Sequence, residues 1–410
     1  MRSSFSKEGV NKVSDTVKAV KIKSFRILML IFGALSLFAT GVFYAWSILK
    51  APFAFEGAEL ALNFTISLCA FGFGGLFSGV LAKKIPLKVR LIVGTILSGV
   101  GFSLATFVTD NVLLLYLSYG LLSGFGIGIL YNSVISSVNS WFPDKKGLSS
   151  GVLMMSFGIS TLIIGNIASK LFSADGFGWK NTYYLIAAFI AVTTLIFTVI
   201  ARMPSESDNL PAPSKKTSSG TSEDFSAASM LRRFTFWKLF VFFTLFTAVG
   251  STIIGFAKDF TLTLGAKESL AVTVVGIVSV CNGLGRLLAG LIFDRLGLKF
   301  AQFSTSVIVI VATTVSLIGI LSSSLVVGII GICLCGISYG FSPTVSAAFI
   351  ASFYGMKHYP TNLGIINLVL IPASFMSTIA GSIGDYSIIF AVLLACSVVG
   401  LLINITIKKP

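Results

Sequence analysis

The sequence predicts an all-α membrane protein, with twelve transmembrane helices forming two pseudo-symmetric six-helix bundles. Three observations predict it. Apolar runs of about 20 residues recur along nearly the whole chain, the length a helix needs to cross the hydrocarbon core. Composition agrees: 55% of the 410 residues are hydrophobic, 11% are charged and the mean hydropathy is +0.95. Soluble domains carry about a quarter charged residues, and the strand alternation of an outer-membrane barrel is absent. Third, the 30 Lys and Arg are asymmetric. Lys50, Lys170, Lys180, Lys258 and Lys267 fall on one side and Arg286 within a span; the rest fall on the other side. This is the positive-inside pattern, so the net charge of +15 reports topology and calls for no nucleic acid.

Taken in order, residues 1–25 form a basic arm, with Lys18, Lys21 and Lys23 just ahead of Arg26 and the membrane. It reads as a cytoplasmic leader, because the apolar run behind it is too long for a signal-peptide core. The N-terminal bundle spans 26–201, with helices expected at 26–49, 60–82, 88–108, 112–140, 147–170 and 181–201. Residues 202–235, rich in Ser, Pro, Lys and Glu, read as a flexible cytoplasmic linker ending in a short interfacial helix around Met230-Leu231-Arg232-Arg233. The C-terminal bundle spans 236–406, with helices at 236–262, 269–293, 300–321, 324–352, 361–383 and 386–406; residues 407–410 form a cytoplasmic tail. Glu56, Glu59, Asp110, Asp175 and Asp385 mark the outer loops.

An internal repeat supports the two halves. Gly72, Gly74 and Gly79 recur as Gly283, Gly285 and Gly290 at a constant offset of 211. Small residues at such spacing let helices approach closely. Gly75 stands where the second copy has Arg286, so the scaffold is duplicated and the charge is not.

Arg286 lies seven residues before the end of the 269–293 run, roughly 10 Å below the membrane edge. Guanidinium stays protonated and must be paired or solvated where it stands. Every Asp and Glu falls in a loop or near a helix end, so no acid is available at that depth. One reading makes the missing partner an anionic substrate; the other makes Arg286 structural, satisfied by helix carbonyls and water.

Several strings carry a family resemblance. Gly290-x-x-x-Asp294-Arg295-x-Gly297-x-Lys299 resembles the loop motif between the second and third helices of each half in the major facilitator superfamily. In the first half Lys83 replaces the acid and Pro86 the second Gly. Trp141-Phe142-Pro143-Asp144-Lys145-Lys146-Gly147 resembles the loop between helices four and five in the oxalate–formate antiporter branch and, more loosely, in monocarboxylate transporters. Gly41-x-x-Tyr44-x-Trp46 and Asn362-x-Gly364 also fit. The resemblance implies the major facilitator fold, a carboxylate contact for Arg286, a cavity role for Tyr131, and gating roles for Asp294 and Arg295. For the loop itself, Pro143 breaks the helix, Asp144 can cap the next one, and Lys145 and Lys146 face the anionic leaflet, giving a gate rather than a binding site.

Departures from the family sharpen the expectation. Oxalate-transporting members resemble one another in an eleventh-helix lysine; here that place falls near Leu370, and 361–383 holds no Lys. With one cation in place of two, a compact dianion stays half-neutralised, and a charge pair at ~4 Å is worth about 4 kcal/mol at an effective dielectric near 20. A monocarboxylate is expected and oxalate disfavoured. Proton-coupled monocarboxylate transporters place an acid one turn before the arginine; here it is Asn282, which does not titrate and serves as a polar contact. Lys258, Asp259 and Lys50 remain coupling or mouth charges. Tyr131 and Tyr339 are cavity-wall residues, with Tyr44 and Asn63 weaker candidates. Pro343 and Pro372 are expected to kink their helices.

The expected activity is therefore secondary transport of a small carboxylate by alternating access and anion exchange. Its alternatives are proton-coupled symport, export of amphiphilic compounds, or a non-transporting sensor. No nucleotide-loop pattern occurs, which excludes ATP-driven pumping by this chain. Neither enzyme activity nor a cofactor or metal is called for. The five cysteines lie in apolar runs and read as small packing residues. The partners are the substrate and the bilayer, in a monomer at the plasma membrane.

Overall fold

The structure, a computed structural model, describes residues 2–211, 224–355 and 357–409, without the side chains of 2–20, 83, 146–148, 206, 294 and 360. Twelve helices among these are long and apolar enough to cross a membrane. They are Lys21–Leu49, Gly57–Val80, Leu87–Ala105, Val112–Trp141, Ser149–Phe172, Gly178–Ile200, Phe234–Thr263, Glu268–Phe293, Leu298–Leu321, Leu325–Tyr354, Thr361–Ile383 and Tyr386–Ile405. Each overlaps its expected span. The first helix begins earlier than expected, at Arg2, so the basic arm is helical. No Gly or Pro interrupts Val10 to Phe32, and charge alone does not stop a helix.

The two bundles repeat at the level of packing. A Cβ on Gly74 would lie 2.2 Å from the Phe125 carbonyl, and one on Gly285 would lie 2.1 Å from the Ile337 carbonyl. The second and fourth spans thus cross backbone to backbone, as do the eighth and tenth. The offset read from the glycines is the offset of two equivalent crossings.

Irregular turns interrupt three spans. The first carries a 3-10 turn at Gly41–Ala45, where the chain lies against the Phe157 carbonyl. The fourth carries a π turn at Tyr116–Ser123. The eleventh carries a 3-10 turn at Asn367–Val369, just before Pro372, whose ring removes the N–H that would bond back. Pro343 sits inside the continuous helix Leu325–Tyr354, which does not break there.

The bundles meet where the second span packs on the eleventh and the fifth on the eighth. Thr65 Oγ1 donates to the Ser374 carbonyl at 2.7 Å, and Thr273 Oγ1 donates to Asn166 Oδ1 at 3.2 Å. Lys50 Nζ pairs with Asp259 Oδ2 at 2.5 Å. All three polar contacts lie in the half of the spans away from the basic loops, while on the basic side Leu287 packs against Gly151 and Leu76 against Gly364.

Two local expectations change. Among the described residues Asp144 caps no helix. It pairs with Arg26 at the start of the first span, and the helix from Lys146 begins with no side-chain cap. The opposite charge on Arg26 outcompetes a neutral N–H for the carboxylate. The linker, expected to be flexible, is docked at both described ends. Arg202 lies over Trp141 and Phe25 and holds Asp208 through two bonds of 2.8 and 2.9 Å. At the other end Phe225 N donates to the Tyr354 carbonyl and Asn362 Nδ2 donates to the Phe225 carbonyl, both at 3.0 Å. The short helix is Ala227–Leu231, and its Met230 is buried rather than interfacial.

Candidate functional site

The eighth span is one unbroken helix, Glu268–Leu296, because no Pro interrupts it, and three of its glycines, Gly276, Gly283 and Gly285, sit at helix contacts. Its crossing with the tenth span is set by Gly340, where a Cβ would lie 2.2 Å from the Asn282 carbonyl. That contact turns the Asn282–Arg286 face toward the first and fourth spans. Arg286 is half-buried, and its Nη1 donates to Tyr131 Oη at 2.7 Å across the bundle interface. Arg286 Nε is buried with no protein partner among the described residues. One turn earlier Asn282 is buried and its Oδ1 also lacks a partner. No carboxylate lies within ion-pair distance of Arg286 among the described residues.

Around the guanidinium stands a wall of rings. Phe157 meets Tyr44 edge-on at 5.0 Å and Tyr131 at 5.2 Å, and Phe71 lies 5.3 Å from Tyr131. Tyr44 and Tyr339 are 6.4 Å apart. The 3-10 turn in the first span aims Tyr44 inward, and Gly250 leaves room for the Tyr339 ring, only 2.2 Å from where a Cβ would stand. The residues picked from sequence (Arg286, Asn282, Tyr131 and Tyr339) therefore converge. Tyr44 belongs with them more closely than its string suggested. Phe157 and Phe71 went unselected, since a phenylalanine in an apolar run carries no signal of its own.

The charged candidates stand apart. Lys50 pairs with Asp259 and lies over the Phe256 ring at 5.0 Å, while Lys258 pairs with Glu268 at 2.5 Å. Both pairs occupy the ends of spans one, seven and eight, away from Arg286. Lys145 and Arg295 are exposed on the basic side, and the side chain of Asp294 lies outside the described residues.

A fixed cation beside phenol hydroxyls and aromatic rings suits an anion with a small apolar body. The guanidinium supplies charge and a planar pair of donors, and the hydroxyls donate to the same oxygens. Rings pack the remainder.

Residues 27–378 match the Major Facilitator Superfamily. Across 357 residues, covering 84% of both chains, the sequence is 30% identical to the uncharacterized MFS-type transporter YhjX of Escherichia coli. It is 25% identical to the oxalate:formate antiporter of Oxalobacter formigenes, over 78% of this chain and 76% of that one. Identity is 24% to monocarboxylate transporter 12 of Xenopus laevis, over 61% and 57% of the two chains. The fold superposes on the nucleoside transporter NupG with a TM-score of 0.69, 14% identity, and coverage of 94% of this chain and 99% of that one. A twelve-span fold, a repeat shared between bundles and a match across most of the length agree: this chain is a multi-pass membrane transporter of the Major Facilitator Superfamily.

Proposed function

We propose that this transporter moves a small organic anion, a monocarboxylate, by exchange across the plasma membrane, with both termini cytoplasmic. The observation that carries the reading is the state of Arg286. It is a permanent cation within the span, bonded to a neutral phenol and matched by no carboxylate among the described residues. In this reading Arg286 binds the carboxylate, Asn282 and Tyr131 complete its polar shell, and Tyr339 lines the cavity beside Tyr44. Binding cancels the buried charge and lowers the cost of the occluded state, whereas the empty carrier must carry Arg286 unpaired through the transition, which favours exchange over net flux. Asp144, Lys145, Asp294 and Arg295 are assigned to the gate on the basic side. The relatives named for oxalate, formate and monocarboxylates support a carboxylate. Absence of a lysine from the eleventh span supports the single charge.

The test is counterflow in proteoliposomes preloaded with unlabelled formate, acetate, lactate, pyruvate or oxalate. Accumulation of a labelled monocarboxylate that depends on internal substrate, and not on a pH gradient, is the expected result. Accumulation of oxalate alone refutes the one-cation argument. Uptake driven by a pH gradient and lost in Asp259→Asn replaces exchange with proton symport.

A further inference from the structure

The 3-10 turn of the first span is unfavourable where it stands. Over Gly41–Ala45 the backbone winds at about three residues per turn with a rise of ~2.0 Å, against about 3.6 and ~1.5 Å in an α-helix. Across the turn this rotates the far end of the span by about 100° and lengthens it by ~2.5 Å. Hydrogen bonds in such a turn are poorer, all of its residues are buried, and hydrocarbon holds no water to compensate. No proline precedes Pro52, so nothing in the span's own covalent geometry enforces the turn. Contacts from other spans must hold it.

Two buried hydroxyls do so. Thr161 Oγ1 of the fifth span donates to the Gly41 carbonyl at 3.3 Å, and Tyr119 Oη of the fourth donates to the Phe43 carbonyl at 3.2 Å. Both side chains are fully buried. Thr161 stands one turn after Phe157, whose carbonyl is the atom against which Gly41 packs, so one face of the fifth span grips the turn twice. Tyr119 lies in the π turn of the fourth span, and its ring stacks on that of Phe43, 6.1 Å away at 12°. The two carbonyls they hold come just before Tyr44, whose ring meets Phe157 at 5.0 Å on its own bundle and Tyr339 at 6.4 Å on the other.

We propose that Thr161 and Tyr119 are positioning residues for transport, whose hydroxyls hold the first span in the 3-10 turn that presents Tyr44 to the Arg286 cavity. The inference rests on the reading of that cavity as the transport site. Without either bond the turn relaxes toward α-helix and carries Tyr44 away from Tyr339. The binding-competent fraction then falls, and apparent affinity falls by the same factor, while saturating substrate draws the turn back and keeps the maximal rate. Tyr183, whose Oη donates to the Leu49 carbonyl at 2.8 Å beyond the turn, is the matched control.

Thr161→Val and Tyr119→Phe each remove one hydroxyl at nearly constant volume. In counterflow each should raise the half-saturating monocarboxylate concentration about two- to tenfold at an unchanged maximal rate. Thr161→Ser should restore the parent value, and Tyr183→Phe should match it. In a Tyr44→Ala background neither substitution should raise the concentration further, because both act through that ring. Position is read separately from flux. In a cysteine-free chain, Tyr44→Cys with Tyr339→Cys should be joined by a short bifunctional thiol reagent; adding Thr161→Val or Tyr119→Phe should cut the yield several-fold, and adding Tyr183→Phe should not. A cut yield with no counterflow of any acid ends the carboxylate reading and leaves the positioning role standing. Unchanged cross-linking overturns the proposal. So does a fall in maximal rate at constant half-saturation, or an equal effect of Thr161→Val with and without the Tyr44 ring.

Discussion

At the scale of single residues, the chemistry rests on Arg286 and the groups around it. Removing one partner of a buried, hydrogen-bonded charge pair costs about 2–5 kcal/mol, or roughly 30- to 5,000-fold in affinity. Arg286→Ala should therefore abolish counterflow while the protein purifies and melts as the parent does; normal uptake would end the carboxylate assignment. Arg286→Lys keeps the charge and loses the planar fork, so binding should recover only in part. Tyr131 holds the guanidinium across the bundle interface at 2.7 Å. A hydrogen bond to a charged group contributes about 1.5–3 kcal/mol, so Tyr131→Phe should raise the half-saturating substrate concentration about tenfold or more, and an unchanged value would reduce Tyr131 to packing. Asn282 Oδ1, buried and unpartnered, is the polar atom nearest in sequence for a substrate group to satisfy.

At the scale of elements, helix crossings and clips decide what stays in place. Gly340→Ala would put a methyl 2.2 Å from the Asn282 carbonyl and push the eighth span off the tenth. Overpacking of this kind costs about 1–3 kcal/mol, so a clear fall in Tm is expected. Gly99→Ala is the control: no atom lies within 4 Å of its Cβ, and alanine in a helix is worth about 0.5–1 kcal/mol over glycine. A fall in Tm for both variants would assign the loss to something other than the crossing. The linker clip makes a pH prediction. The Arg202 guanidinium and the Ser205 N–H hold the Asp208 carboxyl well below the usual carboxylate range. A depressed folded-state value gives a contribution that is full above the unfolded value near 4 and lost only as pH falls through the folded one. Protease cleavage beyond Arg202 should thus be flat from about pH 7 to pH 4 and rise below that, whereas Asp208→Asn should be cleaved readily at pH 7.

At the scale of the whole molecule, alternating access requires the contacts between bundles to break on one side at a time. Among the described residues Lys50–Asp259 is the one ion pair that joins the N-terminal bundle to the C-terminal one. It lies on the side away from the basic loops. Asp259 is partly solvated, so the pair is worth about 1 kcal/mol, enough for roughly a fivefold shift between two conformers. Asp259→Asn should speed labelling of a Ser47→Cys probe by an impermeant thiol reagent about fivefold in a cysteine-free background. The exchanged pair, Lys50→Asp with Asp259→Lys, should restore the slow rate. Fast labelling in the exchanged pair would mean that the charges do not hold the bundles together.

Much of this was legible in the order of residues, because bilayers are harsh solvents. Every span had to be a long apolar helix, so twelve of them could be read from Phe-, Leu- and Ile-rich runs, and Arg286 stood out because a cation at that depth is costly. Glycine spacing even announced the repeated crossing, since only glycine allows backbones to touch. What the sequence could not show is which side chains share a place when their separation in the chain is large. Tyr131 reaches Arg286 across 155 positions, and Tyr44 turns inward because one 3-10 turn reorients its helix. Asp144 pairs with Arg26, 118 positions away, rather than with its own helix end. The sequence by itself determined the solvent, the spans and the isolated charge, because burial in lipid acts on each segment alone. Only the tertiary structure decided the partners, because a hydrogen bond or a ring contact is set within an ångström by how two helices cross.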